Sequence, residues 1–228
     1  MTGTAVLLVD PYNDFLGDGG KLWPRIKAVA EEVKLLDHLR EVVSTARAQG
    51  LKIFFVPHNR WKPGDYVSFD FPSPYQLGTA KAEVFAEGSW GGTFHDDFQP
   101  QPGDIVAREH WGSSGFANTD LDLQLKQHGI RRIVLTGLVA NTCIEATGRF
   151  GMELGYHVTL VKDATAAFSQ EGMHAATPST ARPTPTPSSP PKNSSRGFPP
   201  EAMVQAGGGW AGIRGARQAG CRPPGSSA

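Results

Sequence analysis

The chain has 228 residues, a length that admits one α/β domain or two small ones. Lys plus Arg total 22 and Asp plus Glu total 22, a zero balance that argues against a partner nucleic acid or a membrane surface. Two cysteines, Cys143 and Cys221, exclude a disulfide scaffold and predict a reducing, cytoplasmic setting.

The zero is a sum over unlike parts. From residue 177 onward there are six basic residues and one acidic, a net of +5, which leaves −5 for residues 1–176. The last 52 residues hold ten of the 18 prolines, no Leu, and only Val204 and Ile213 as branched aliphatics. Such a stretch buries too little apolar surface to offset its ordering entropy. The composition therefore predicts one folded domain over 1–176 and an unstructured Pro/Gly/Ser/Arg-rich tail over 177–228.

In chain order, the apolar run from Thr4 to Val9 ends at Asp10-Pro11. It reads as a strand covered on both faces, and it lacks the basic leader of a signal peptide. Val29, Val33, Leu36, Leu39 and Val43 recur at helical spacing, predicting a helix over about 27–49 that Gly50 stops. A second strand follows at 52–56. Residues 58–103 form a connection longer than compact domains usually carry, a length associated with function. Further strands are predicted at 104–108, 132–137 and 156–161, with helices across 121–127 and 142–154. No apolar stretch reaches the roughly 18 residues needed to cross a bilayer.

Strands alternating with helices imply right-handed crossovers and a three-layer α/β/α domain with a central, mostly parallel sheet. In such sheets the ligand site lies beyond the carboxyl ends of the strands. That rule selects Asp10, the segment Pro57-His58-Asn59, the segment Arg108-Glu109-His110, and the turn leading to Cys143. A thiol in the first turn of a helix sees the positive end of the helix dipole, which lowers its pKa and places free backbone N–H groups nearby.

The strings LLVDPYNDF, GSSGFANTDLDLQL and GLVANTCIEATGRFGMELGYHVTLVKDAT together resemble the isochorismatase-like cysteine hydrolase superfamily, which includes nicotinamidases and related amidases. They occur in the family's order and cover most of residues 4–176. The resemblance implies a Rossmann-like topology and an Asp–Lys–Cys triad, onto which Asp10 and Cys143 map directly. It also implies a cis peptide at Leu138-Val139 and an oxyanion hole made by the backbone N–H groups of Val139 and Cys143.

The Lys is missing, because the corresponding stretch reads REHWGSSGF. Counting forward from Gly103-Asp104 puts Glu109 in its place; counting back from Phe116 puts His110 there. The forward count is preferred, since strand length varies less than loop length. Glu109 beside Asp10 would force two like charges together, so that the pair shares a proton. His110 is the alternative acid/base, in a Cys–His arrangement. Loss of activity is the third outcome.

The expected activity is hydrolysis of a C–N bond in a small-molecule amide through a covalent thioester. The alternatives are a vinyl-ether hydrolase of the isochorismatase type, which does not rely on the Cys, and a catalytically impaired binding protein. Trp111, Phe116 and Asn59 are the expected pocket residues, within loops rich in Trp and Phe. His58 is followed by Asn59-Arg60-Trp61, and His95-Asp96-Asp97 stands apart from it; without paired ligand spacing, neither metal nor cofactor is expected. The resemblance implies a homo-oligomer.

The tail also permits a second reading. Its Pro, Ser, Thr, Ala and Arg codons leave only the third base free. From the Pro178/Ser179 junction, and with suitable third bases, a shifted frame reads Leu-Asn-Gly-Pro-Thr-Tyr-Ala-His-Ala-Ile-Leu-Thr-Thr-Lys-Glu-Leu-Ile. This fits the Pro-x-Tyr-Ala-like turn and following segment that the resemblance implies, and it predicts a frame change or unspliced junction near Thr177.

Overall fold

The computed structural model describes residues 3–176; the predicted tail and its frame change lie outside the described residues. Five strands form one parallel sheet: β1 (Thr4–Val9), β2 (Lys52–Val56), β3 (Ile105–Val106), β4 (Arg132–Leu138) and β5 (His157–Ala166), in the order β3-β2-β1-β4-β5. The order reverses direction at β1, between β2 and β4. That is a topological switch point, where two loops part and leave a crevice.

Side chains alternate across the central strands. Val6 and Leu8 of β1 with Ile53 and Phe55 of β2 enter one apolar cluster, while Ala5, Leu7 and Val9 with Phe54 and Val56 enter the other. The first cluster is closed by α2 (Trp23–Glu32) and α3 (Leu35–Ala48) through Ile26, Val29, Leu39 and Val43. The second is closed by α5 (Leu121–Gln127) through Leu121 and Leu125, and by the segment at Cys143 and Ile144 that leads into α6 (Glu145–Glu153). Helices thus cover both faces, as the three-layer prediction requires. Two shorter helices, α1 (Asn13–Leu16) and α4 (Pro74–Ala82), and the terminal α7 (Gln170–Ala176) complete the described chain.

Several elements differ from the sequence reading, among them the last strand, predicted at 156–161, which runs on to Ala166. The helix predicted over 27–49 is two helices, starting earlier at Trp23 with Pro24 in its first turn, and broken where Lys34 takes φ 52°. A left-handed Lys costs only about 1 kcal/mol, which the burial of Ile26, Val29, Leu35 and Leu39 on one face readily offsets. The strand predicted at 104–108 pairs only over Ile105–Val106. The long connection holds α4, whose Ser73 accepts from the Gln76 backbone while the Gln76 side chain accepts from the Ser73 backbone.

Among the described residues, no helix is long and apolar enough to cross a membrane.

Candidate active site

The first strand ends on Asp10, which adopts φ 52° and donates its backbone N–H to Val56 O at 3.1 Å. A left-handed aspartate is uncommon, and such residues concentrate at functional sites. Its side chain is completely buried. The neighbouring strand β4 comes close because position 137 is glycine: at φ 109°, a Cβ there would stand 2.1 Å from Val9 O. Beyond Gly137 the peptide Leu138-Val139 is cis, as the resemblance implied. A wide helical turn, Ala140–Ile144, then carries Cys143 into the crevice.

The third contributor comes from the edge of the sheet. Phe55 faces Val106 in β3, so an unbroken register would bring Glu109 opposite His58. The residue opposite His58 is instead His110. Ala107 N donates to Phe55 O and His110 N to Pro57 O, both at 2.9 Å, so three residues advance against two. This is a one-residue bulge, and the Arg108 N–H inside it is satisfied by the Asp120 carboxylate at 2.7 Å.

The bulge corrects the expectation for Glu109. The Glu109 carboxylate turns to Arg60, accepting from its backbone N–H at 3.0 Å and from its guanidinium. His110 turns to Asp10, with Nε2 to Oδ1 at 3.1 Å and both side chains fully buried. His110 Nδ1 lies 2.7 Å from Gly112 O; a carbonyl only accepts, so this nitrogen carries a proton. The two carboxylates are bonded to different partners, Glu109 to Arg60 and Asp10 to His110.

Cys143 joins the same group, with one ligating atom each from Asp10, His110 and Cys143 all within 4.8 Å of one another. Burial pushes the Cys143 thiol well above its ordinary pKa, and the Asp10 charge adds to this. The Thr142 hydroxyl, 3.8 Å from Sγ, and the Val139 backbone N–H pull the other way without overcoming it. The lowering expected from the helix start is therefore outweighed, and the resting group is a thiol.

For His110 the balance is reversed. Burial pushes the imidazole down, but the Asp10 charge, its hydrogen bond, the Gly112 carbonyl and Glu109 together hold it above its ordinary value. Its neighbour His58, 5.0 Å away between ring centroids, is held low by burial and by the His110 charge. Asp10 and His110 thus form a buried, hydrogen-bonded pair beside the Cys143 thiol.

The remaining predicted pocket residues divide. Trp111 is partly exposed and packs edge-on against Tyr66, with Phe69 alongside. Asn59 is buried, donating Nδ2 to Asp65 at 3.1 Å. Phe116 is a correction: it lies in the core of the second face, stacked on Tyr156 and Phe150, because the chain after Gly115 turns under the sheet toward α6. Sequence reasoning missed Tyr75, whose hydroxyl lies 3.4 Å from His58 Nε2 and whose ionised form is disfavoured first by burial and then by Cys143 and Asp10. An isolated aromatic in α4 carries no signal of that placement.

A family model described as the isochorismatase domain matches residues 4–186. The chain belongs to the isochorismatase family. Ureidoacrylate amidohydrolase RutB of Pantoea ananatis is 33% identical over 173 residues, covering 71% of this chain and 68% of that protein. RutB of Caulobacter vibrioides is 35% identical over 174 residues, covering 71% and 76%. The solved N-carbamoylsarcosine amidase of Thermoplasma acidophilum superposes with a TM-score of 0.59 at 29% identity, covering 76% of this chain and 90% of that one. This family member is accordingly a cysteine hydrolase of C–N amide bonds, and its amidohydrolase relatives speak against the vinyl-ether and binding-protein readings.

Proposed function

We propose that Asp10, His110 and Cys143 form the catalytic triad, with His110 in the place of the family Lys. The observation that carries this is the convergence of the three buried side chains at the switch point of the sheet. Asp10 takes the Cys143 proton as the sulfur attacks the carbonyl carbon. The His110 imidazolium offsets the negative charge that passes between carboxylate and thiolate. The backbone N–H groups of Val139 and Cys143 receive the carbonyl oxygen as it becomes an oxyanion.

Asp10 then returns its proton to the leaving nitrogen, and the C–N bond breaks to leave a thioester. Water attacks next, giving its proton to Asp10. When the thiolate leaves, that proton returns to it and the acid departs. One water is consumed and one amine released per cycle, and the enzyme regains its starting state. Glu109 acts as a positioning residue, anchoring Arg60 at the end of β2.

The relatives that act on ureidoacrylate and N-carbamoylsarcosine support a small carbamoyl or ureido acid as substrate. Tyr75, beside His58 and within electrostatic reach of Cys143 and Asp10, offers a flat wall that suits a planar carbamoyl group. Among the described residues the Cys143 thiol is free and buried, which supports a cytoplasmic setting; the exposed Val67 and Phe71 support self-association, and residues 1–176 are taken as the catalytic domain.

The test is Cys143→Ala on a panel of ureido acids, carbamates and simple amides. The expected loss is about 10³-fold or more in kcat/KM, with a substrate-sized mass adduct trapped only on the wild-type chain. Wild-type rates in the variant would overturn the mechanism.

A further inference from the structure

The substitution that removed the family Lys also changed the coordination chemistry of the site. A Lys ammonium has no lone pair while charged, whereas an imidazole nitrogen is among the commonest ligands for borderline and soft metal ions. Asp10, His110 and Cys143 therefore supply one oxygen, one nitrogen and one sulfur, within 4.8 Å of one another and all buried. These donors follow three separate strands and so leave no paired ligand spacing in the sequence.

The geometry around these donors supports a ligand. His110 occupies Asp10 Oδ1, and the buried Oδ2 is left to the Cys143 thiol, so carboxylate and sulfur face the same point. The Nδ1–H of His110 is fixed on the Gly112 carbonyl at 2.7 Å, which aims Nε2 at Asp10 and Cys143. A ring held through one nitrogen by a backbone carbonyl, with the other facing the remaining donors, is the usual support of a metal-ligating His.

We propose that Asp10, His110 and Cys143 bind a divalent zinc-like ion, and that its occupation reversibly shuts off hydrolysis. It rests on the triad being the catalytic group only for its second half. Binding forms metal–sulfur, metal–nitrogen and metal–oxygen bonds and releases two protons to water, one from the thiol and one from His110 Nε2. Two positive charges enter and two leave, so the buried site keeps its net charge and nothing is oxidised or reduced. Closing from the present spacing to metal–ligand bonds of about 2.0–2.3 Å needs only side-chain adjustments of the order of 1 Å. The bound thiolate has given its lone pair to the metal and no longer attacks a carbonyl.

The test is a titration of the purified, chelator-stripped full chain with Co²⁺, followed by Zn²⁺. Expected are one equivalent of a thiolate-to-cobalt absorption band, its displacement by Zn²⁺, and loss of amide hydrolysis that chelator restores. Cys143→Ala should abolish the band, and His110→Lys should weaken Zn²⁺ binding at least tenfold, while Cys221→Ser should keep both intact. Should Cys143→Ala fail to fold, Asp10→Asn with the same readout replaces it. No stoichiometric band, or a band that survives in His110→Lys at wild-type affinity, overturns the proposal. Metal binding with full Cys143 dependence in a chain that hydrolyses no amide would overturn the triad reading and leave the metal site standing.

Discussion

The middle of the sheet and its β3 edge place their site residues by different means. Strands β1 and β4 run paired over six residues, each held on both sides, so Asp10 and the turn to Cys143 arrive where an uninterrupted apolar run ends. Strand β3 pairs over two residues on one side only, and a bulge decides which residue follows it into the crevice. Central strands transmit position by register, and edges are where register slips and a family site can change its chemistry.

The closest approach in the central region is the most direct way to break it. Gly137→Ala puts a methyl group against the Val9 carbonyl at a positive φ, where neither backbone can retreat without losing a ladder hydrogen bond. A loss of about 3 kcal/mol, or failure to accumulate folded protein, is expected in chemical denaturation. A loss under about 1 kcal/mol would mean that the strand ends are looser than their pairing indicates.

At the edge, two adjacent substitutions test the bulge. His110→Gln should lower kcat by about 10²-fold with little change in KM, because charge stabilisation is removed from the reacting atoms. Glu109→Gln should cost no more than a few-fold, acting through Arg60 and the His110 charge. The reverse ranking would restore the count that put Glu109 opposite Asp10.

This pair also marks what the sequence could and could not show. Asp10 and Cys143 were legible because uninterrupted apolar runs announce where a buried strand stops. Which of Glu109 and His110 faces Asp10 was not legible: a bulge is one residue of slack on an unpaired edge, and no periodicity in a two-residue strand records it. The break at Lys34 was hidden for the opposite reason, since Val29, Val33 and Leu36 keep helical spacing straight through it. Phe116 shows a third limit. Both a pocket and a core call for an aromatic after a glycine, and only packing separates them. Phe116→Leu should cost about 1 kcal/mol of stability and leave KM unchanged.

The smallest effect is also the most specific to a His at this position. In chelator-treated protein the proposed chemistry needs the imidazolium, which faces Asp10, Glu109, His58 and Cys143. Activity should therefore decline as pH rises through the His110 pKa, which lies above its ordinary value. His110→Lys carries its charge to a higher pH and should shift that basic limb upward. Glu109→Gln removes a charge that supports the imidazolium and should shift it slightly downward. Stability follows the same sign. The folded pKa is raised, so the Asp10–His110 pair contributes fully below about pH 6.5 and its contribution is lost as pH rises through the folded value. His58 is held low and acts in the opposite sense, losing stability as pH falls, so the comparison must be wild type against His110→Gln under identical conditions. A stability difference between the two that grows with rising pH would mean that His110 is buried neutral, and that the edge strand delivers a base to Asp10 and not a cation.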